Sequence, residues 1–199
     1  MKPGNQVPPG GRREARFERE PARRVFAVEL REARHQFRDG TEEKSPTYVM
    51  LPTGQRANRV FVVGTMTEKQ KQGEQHSFYR VRVVDPTGTT FISAGNYQPE
   101  AMQQIARIEP PAFVAVVGKP NVFEAPDGGG VYVSLRAESV TVVDRETRDL
   151  WILDASRVTL DRIDAFGTTE DSKRAAEEYR IDPALFRRAV TDALAQIEL

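Results

Sequence analysis

The chain of 199 residues contains no cysteine, two histidines (His35 and His76) and one tryptophan, and its 29 basic side chains are matched by 29 acidic ones. Each shortage removes a class of chemistry. Without cysteine there is no disulfide framework, no thiolate nucleophile and no cysteine-ligated zinc. Two histidines separated widely in sequence leave little for a histidine-based metal site or a catalytic triad. No apolar run approaches the ~18 residues of a membrane-spanning helix, and the start MKPGNQVPPGG lacks the hydrophobic stretch of a signal peptide. A soluble, cytoplasmic chain without a membrane partner is therefore expected. There is also no glycine loop followed by lysine to cradle phosphates, no serine in a nucleophile elbow and no HExxH pair. No enzymatic activity, metal or cofactor is expected. Charge neutrality means that any attraction to a polyanion must come from where the cations sit, not from a global field.

The segmentation of the chain is clear. Residues 1–22 combine Pro3, Pro8, Pro9, Gly10 and Gly11 with Arg12, Arg13, Arg16 and Arg19. So few apolar groups cannot offset the entropy of ordering, which predicts a flexible basic arm. The stretch RVFAVELREARHQF (24–37) suits either a strand or a helix, and Gly40 to Pro46 is a polar break. From Arg59 the pattern turns to strands. RVFVVGTMTEK carries Gly64 where a barrel strand bends or bulges. HSFYRVRVVD alternates strictly, with Tyr79, Val81 and Val83 facing one way and Phe78, Arg80 and Arg82 the other. Asp85-Pro86-Thr87-Gly88 is a tight turn with proline in its preferred place. TTFISAG follows as a third strand, and PEAMQQIAR (99–107) as a short helix with Pro99 in its first turn. PAFVAVVGK (111–119) is a fourth strand, and DGGG (127–130) closes a hairpin to a fifth, VYVSLRAESV.

Three strands, a short helix and two more strands is the order of an OB-fold, a five-stranded, partly open barrel that binds nucleic acid on the face of its second and third strands. A mainly β protein is expected, with this barrel in residues 23–144. A helix over 145–166 and a helical tail over 167–199 complete it. On a wheel, Trp151, Ala155, Val158 and Phe166 share one side of the first helix, and Ile152, Leu153, Leu160 and Ile163 continue around the next; Leu150 adjoins them. The polar strip of Asp154, Arg157, Asp161 and Asp164 is narrow. So wide an apolar arc exceeds what one small barrel needs. Either the helix is tucked into its own domain, or it also joins partner helices; the second reading marks Leu150, Trp151, Leu153, Val158, Leu160, Ile163 and Phe166 as partner-binding candidates. In the tail, Asp182 reads as a helix cap and Pro183 as the first helical residue.

Single-strand binders pair a cationic groove with rings that stack on bases. Phe78, Arg80 and Arg82 share the outer side of the second strand, Tyr97 ends the third, and Phe123 stands where the fourth enters its hairpin. Phe91, Lys119 and Tyr132, from the third, fourth and fifth strands, complete the candidate set. Each ring taken alone is equally explained by packing; their shared face is the argument for a ligand.

The ordered segments RANRVFVVGTMTE, RVVDPTGTTFISAGNYQPEAMQQIARIEPPAFVAVVGKPNVF and VSLRAESVTVVDRETRDLWILDASRVTLDRI resemble the archaeal replication protein A family in its middle-subunit-like branch. The likeness covers residues 22–166. It implies an OB barrel followed by a helix that assembles with equivalent helices of other subunits. It also implies single-stranded DNA as ligand, in replication, repair and recombination, and a nucleoid-associated place in the cytoplasm. The resemblance puts base stacking on Tyr97 and Phe123, the tyrosine departing from the tryptophan often found there. Two other readings remain open: an assembly subunit that does not touch DNA, and an RNA- or tRNA-binding OB module.

Overall fold

A computed structural model describes residues 20–42, 45–74, 77–126 and 128–197; nearly all of the expected basic arm lies outside them. In chain order the elements are β1 (Arg23–Arg24), α1 (Ala27–Glu32), β2 (Gln36–Arg38), β3 (Thr47–Met50), β4 (Arg56–Ala57), β5 (Val60–Gln72), β6 (Phe78–Asp85), β7 (Gly88–Ala94), α2 (Pro99–Arg107), β8 (Ala112–Glu124), β9 (Val131–Val142), α3 (Arg145–Asp164), α4 (Glu170–Tyr179) and α5 (Ala184–Leu194).

Strands β5 to β9 close on themselves. The order is β5-β6-β7-β9-β8, β8 returns to pair antiparallel with β5, and β7 and β9 run parallel. This is the five-stranded OB barrel, with α2 between its third and fourth strands. Alternation along β6 buries Val81 and Val83, while Phe78, Arg80 and Arg82 are exposed. Met66, Ile92, Val114, Val116 and Leu135 join them in the core, and Ala101 and Ile105 of α2 are fully buried with it. Two glycines are explained by close backbone approach. A Cβ on Gly64 would lie 2.5 Å from the Val84 carbonyl oxygen, and one on Gly118 would lie 2.6 Å from that of Arg136. The pairing register shifts beside each, between Met66 and Glu68 and between Val117 and Gly118. Such bulges let a small barrel turn its corners.

The ambiguous segment before the barrel resolves into both alternatives. Its centre is α1 and its flanks are the short strands β1 and β2. Helix formation at 27–32 follows from what receives its first turn. The Ala27 amide donates to Asp85 Oδ2 at 2.7 Å and the Val28 amide to Thr87 Oγ1 at 3.1 Å, both in the turn between β6 and β7. Beyond it, β2, β3 and β4 form a separate three-stranded sheet that the strand pattern did not reveal.

The apolar arc of α3 is largely consumed within the chain. Trp151 and Ile163, expected to meet a partner, are buried, whereas Leu150 and Leu153 are exposed. The Trp151 ring meets Phe26 edge-on at 5.2 Å, and its Nε1 donates to the Phe61 carbonyl at 3.2 Å. Helix α5 packs on α3 and buries its own Phe186, Val190 and Ala193. The buried side of α3 also takes in Ser156, Thr159 and Arg162, and the wheel carried no information on how much of the arc the tail would cover. The cap of α5 is Pro183, one residue later than expected, and Asp182 Oδ1 accepts from the Ala184 amide at 2.9 Å.

A buried ion pair fixes α3 to the front of the chain. Arg162 Nη2 lies 2.8 Å from Glu29 Oε1, with the Glu29 side chain wholly inaccessible. Thr53 and Thr159 donate their hydroxyls to the same carboxylate at 2.7 and 3.0 Å, and the Phe26 amide donates at 3.2 Å. Every lone-pair direction of Glu29 is thus used, as a buried charge requires. Helix α4 is docked on the small sheet by a partly exposed ion pair and by ring and hydroxyl contacts. Arg56 grips Asp171 (Nη2 to Oδ1, 2.7 Å), Arg174 covers the Phe37 ring at 4.2 Å, and the Tyr179 hydroxyl donates to the Met50 carbonyl at 2.5 Å.

Candidate nucleic-acid interface

Alternate residues of a strand share a face, so the pairing register maps the outer surface of the barrel. Arg80 of β6 is paired with Ser93 of β7, Ser93 with Arg136 of β9, and Arg136 with Lys119 of β8. Arg80, Arg136 and Lys119 therefore form a transverse row of exposed cations across four strands. The neighbouring rows carry the rings: Arg82 pairs with Phe91, and Phe123 with Tyr132. Seven of the eight sequence candidates, Phe78, Arg80, Arg82, Phe91, Lys119, Phe123 and Tyr132, thus lie on one continuous sheet face.

Part of this face is concave. A groove of about 750 Å3 is lined by Phe78, Arg80, Phe91, Phe123 and Tyr132, together with Arg31 and Arg34 at the end of α1. The rings remain accessible: Phe78 is 36% exposed, Phe91 40%, Phe123 45% and Tyr132 48%. The hairpin β8–β9 sets the far wall. Phe123 and Tyr132 stack there, centroids 5.7 Å apart and planes 26° from parallel, and the Tyr132 hydroxyl donates to the Gly129 carbonyl at 2.8 Å. On the floor, the Arg80 guanidinium sits 4.9 Å from the centre of the Phe91 ring. Clustered exposed rings rimmed by polar and cationic side chains mark an interaction surface.

Arg82 and Lys119 lie on the same face but outside the groove. Arg82 is in a weak, exposed pair with Glu68 at 3.4 Å. Tyr97 stands apart: it is 95% exposed in the loop between β7 and α2, beyond Gly95, and does not line the groove. Three cations escaped the sequence analysis. Arg136 could have been found by counting register from Lys119 across the DGGG hairpin. Arg31 and Arg34 belong to a segment whose secondary structure was ambiguous, and no local signal places them beside β7.

Chemically the face offers guanidinium and ammonium donors interleaved with π-faces. Among the described residues it presents no arrangement of nucleophile and base. Fold and face together define an OB-fold protein with an aromatic, cationic strand surface. No family model matches the chain, and no curated protein matches it in sequence. Solved structures with related backbones include the S. pombe Stn1-ten1 complex, 16% identical with a TM-score of 0.49 over 59% of this chain and 81% of that one. A second is the SSBb single-stranded DNA-binding protein from Mycobacterium smegmatis, 18% identical with a TM-score of 0.37 over 43% of this chain and 86% of that one. A third is asparaginyl-tRNA synthetase from Pyrococcus horikoshii, 16% identical with a TM-score of 0.36 over 52% of this chain and 26% of that one.

Proposed function

We propose that the chain binds single-stranded DNA across the outer face of β6, β7, β9 and β8, without catalysis, as a subunit of a replication protein A-like complex in replication, repair and recombination. The observation that carries this reading is the joining of four accessible rings with Arg80, Arg136 and Lys119 on one strand face. Rings accept the bases of an unpaired strand, which a duplex hides, and the cations meet its phosphates. Assembly with other subunits is assigned to the uncovered side of α3, where Leu150 and Leu153 are 64% and 48% exposed. Linked barrels would then add avidity beyond what one groove supplies. The setting is cytoplasmic and nucleoid-associated.

Titrating a fluorescent oligo-dT of about 30 nucleotides, long enough for several OB site sizes, tests the reading. Binding that weakens with salt and is not displaced by duplex DNA or transfer RNA supports it. Preferential displacement by transfer RNA supports an RNA-binding module instead, and absence of binding by the chain alone points to an assembly subunit.

A further inference from the structure

The groove has a wall that does not belong to the barrel. Arg31, in the last turn of α1, and Arg34, just past its cap Ala33, line the same cavity as Phe91, Phe123 and Tyr132. Their side chains are 62% and 52% exposed, while Ala33, the residue before Arg34, is fully buried. Leu30, the residue before Arg31, is 1% exposed in the core. The first turn of α1 is bonded to Asp85 and Thr87, in the turn that opens β7. Glu32 holds both guanidinium groups as an array, with Arg31 Nε at 3.2 Å from Oε1 and Arg34 Nη2 at 3.1 Å from Oε2. One carboxylate leaves one net positive charge on the three residues. Each pair engages a single nitrogen of a guanidinium that carries five N–H donors.

The groove is therefore asymmetric. Its strand side and hairpin carry all four rings with a single cation, Arg80, set against Phe91, and its α1 side adds two exposed guanidinium groups rich in planar donors suited to phosphate. Resting on the single-strand reading above, we propose that Arg31 and Arg34 are the phosphate-binding wall of the groove. They hold the sugar–phosphate backbone of a strand whose bases turn toward Phe91, Phe123 and Tyr132. A duplex does not fit this division, because its bases face inward while both backbones face out. The α1 wall thus contributes to strand selection as well as affinity, and it fixes which edge of the ligand faces which side of the groove.

The test is the salt dependence of oligo-dT binding by the full chain. Each phosphate contact to a single strand adds about 0.7 to the slope of log K against log salt. The double variant R31Q/R34Q is expected to lose about 1.4 of that slope, and R31K/R34K to recover most of it. F123A is expected to bind more weakly with the slope unchanged. An unchanged slope in R31Q/R34Q, while the wild-type chain binds, overturns the α1 wall and leaves the sheet-face reading intact. Failure of R31K/R34K to recover the slope also overturns it, since the loss would then follow from altered folding of α1. Failure of the wild-type chain to bind oligo-dT overturns both.

Discussion

Replacing Arg162 by methionine leaves the Glu29 carboxylate buried with no cation beside it. In the native chain Glu29 is wholly inaccessible and receives Arg162 Nη2 at 2.8 and 3.0 Å, two threonine hydroxyls and the Phe26 amide. The threonine and amide donors survive the substitution, but the charge does not find a new partner. Breaking a buried pair on one side costs about 3–5 kcal/mol. Removing both charges in E29Q/R162M costs clearly less, because glutamine brings no charge to bury. The chain supplies its own probe: Trp151 is its one tryptophan, and it packs edge-on against Phe26, whose amide donates to Glu29. Urea denaturation followed by tryptophan fluorescence should show a midpoint lowered by roughly 1–5 M in R162M, taking an m-value of about 1–3 kcal/mol per molar. The double variant should lie between R162M and the native chain. If R162M shifts the midpoint by less than about 0.3 M, or if the double variant is as unstable as the sum of its two single variants, the pair is not what fixes α3 to α1 and the reasoning fails.

Burial pushes the Asp85 carboxyl up to about 6, against the pull of hydrogen bonds from Thr87, Ala27 and Gly88. The folded state therefore holds the proton more tightly than the unfolded chain. The stability this group contributes is present below pH 4 and is lost as pH rises through 6, by about 3 kcal/mol. The stability of D85N should lack this decline, so a wild-type-minus-D85N difference that stays constant from pH 4 to 7 refutes the assignment. In the groove, F123A should weaken oligo-dT binding about 5- to 150-fold, the equivalent of 1–3 kcal/mol of stacking; fluorescence anisotropy measures it. R136A, which removes the middle cation of the transverse row, should lower the salt slope by about 0.7 without altering the melting curve. Y179F removes a hydroxyl that donates to the Met50 carbonyl and accepts from the His35 amide; it should cost about 1–2 kcal/mol and speed proteolysis of the tail.

The strands of the barrel were legible because period-two alternation in HSFYRVRVVD, the DPTG turn and the DGGG hairpin are local signals that need no knowledge of distant residues. The same alternation placed Phe78, Arg80 and Arg82 outward before any contact was known, and the parity of Lys119, Phe123 and Tyr132 agrees with it. Register is what joins these separate outward positions into one face, and register is long-range: Ser93 meets Arg136 across β7 and β9, 43 residues apart by their numbers. Tyr97 was expected to end the third strand, and the resemblance gave it a stacking role, but β7 ends at Ala94, and a ring in the loop before α2 points wherever the loop takes it.

The barrel is local in origin, because each of its strands and turns carries its own periodicity or turn chemistry. Two other features come from long-range packing. The six-residue α1 is too short to be stable alone; it exists because Asp85 and Thr87 receive its first amides, and only that docking carries Arg31 and Arg34 to the groove. The apolar arc of α3 is written in the sequence, but how it is divided between self and partner is not. Burial is a property of everything that arrives at a surface, and here the chain's own α5 arrives first, leaving Leu150 and Leu153 uncovered.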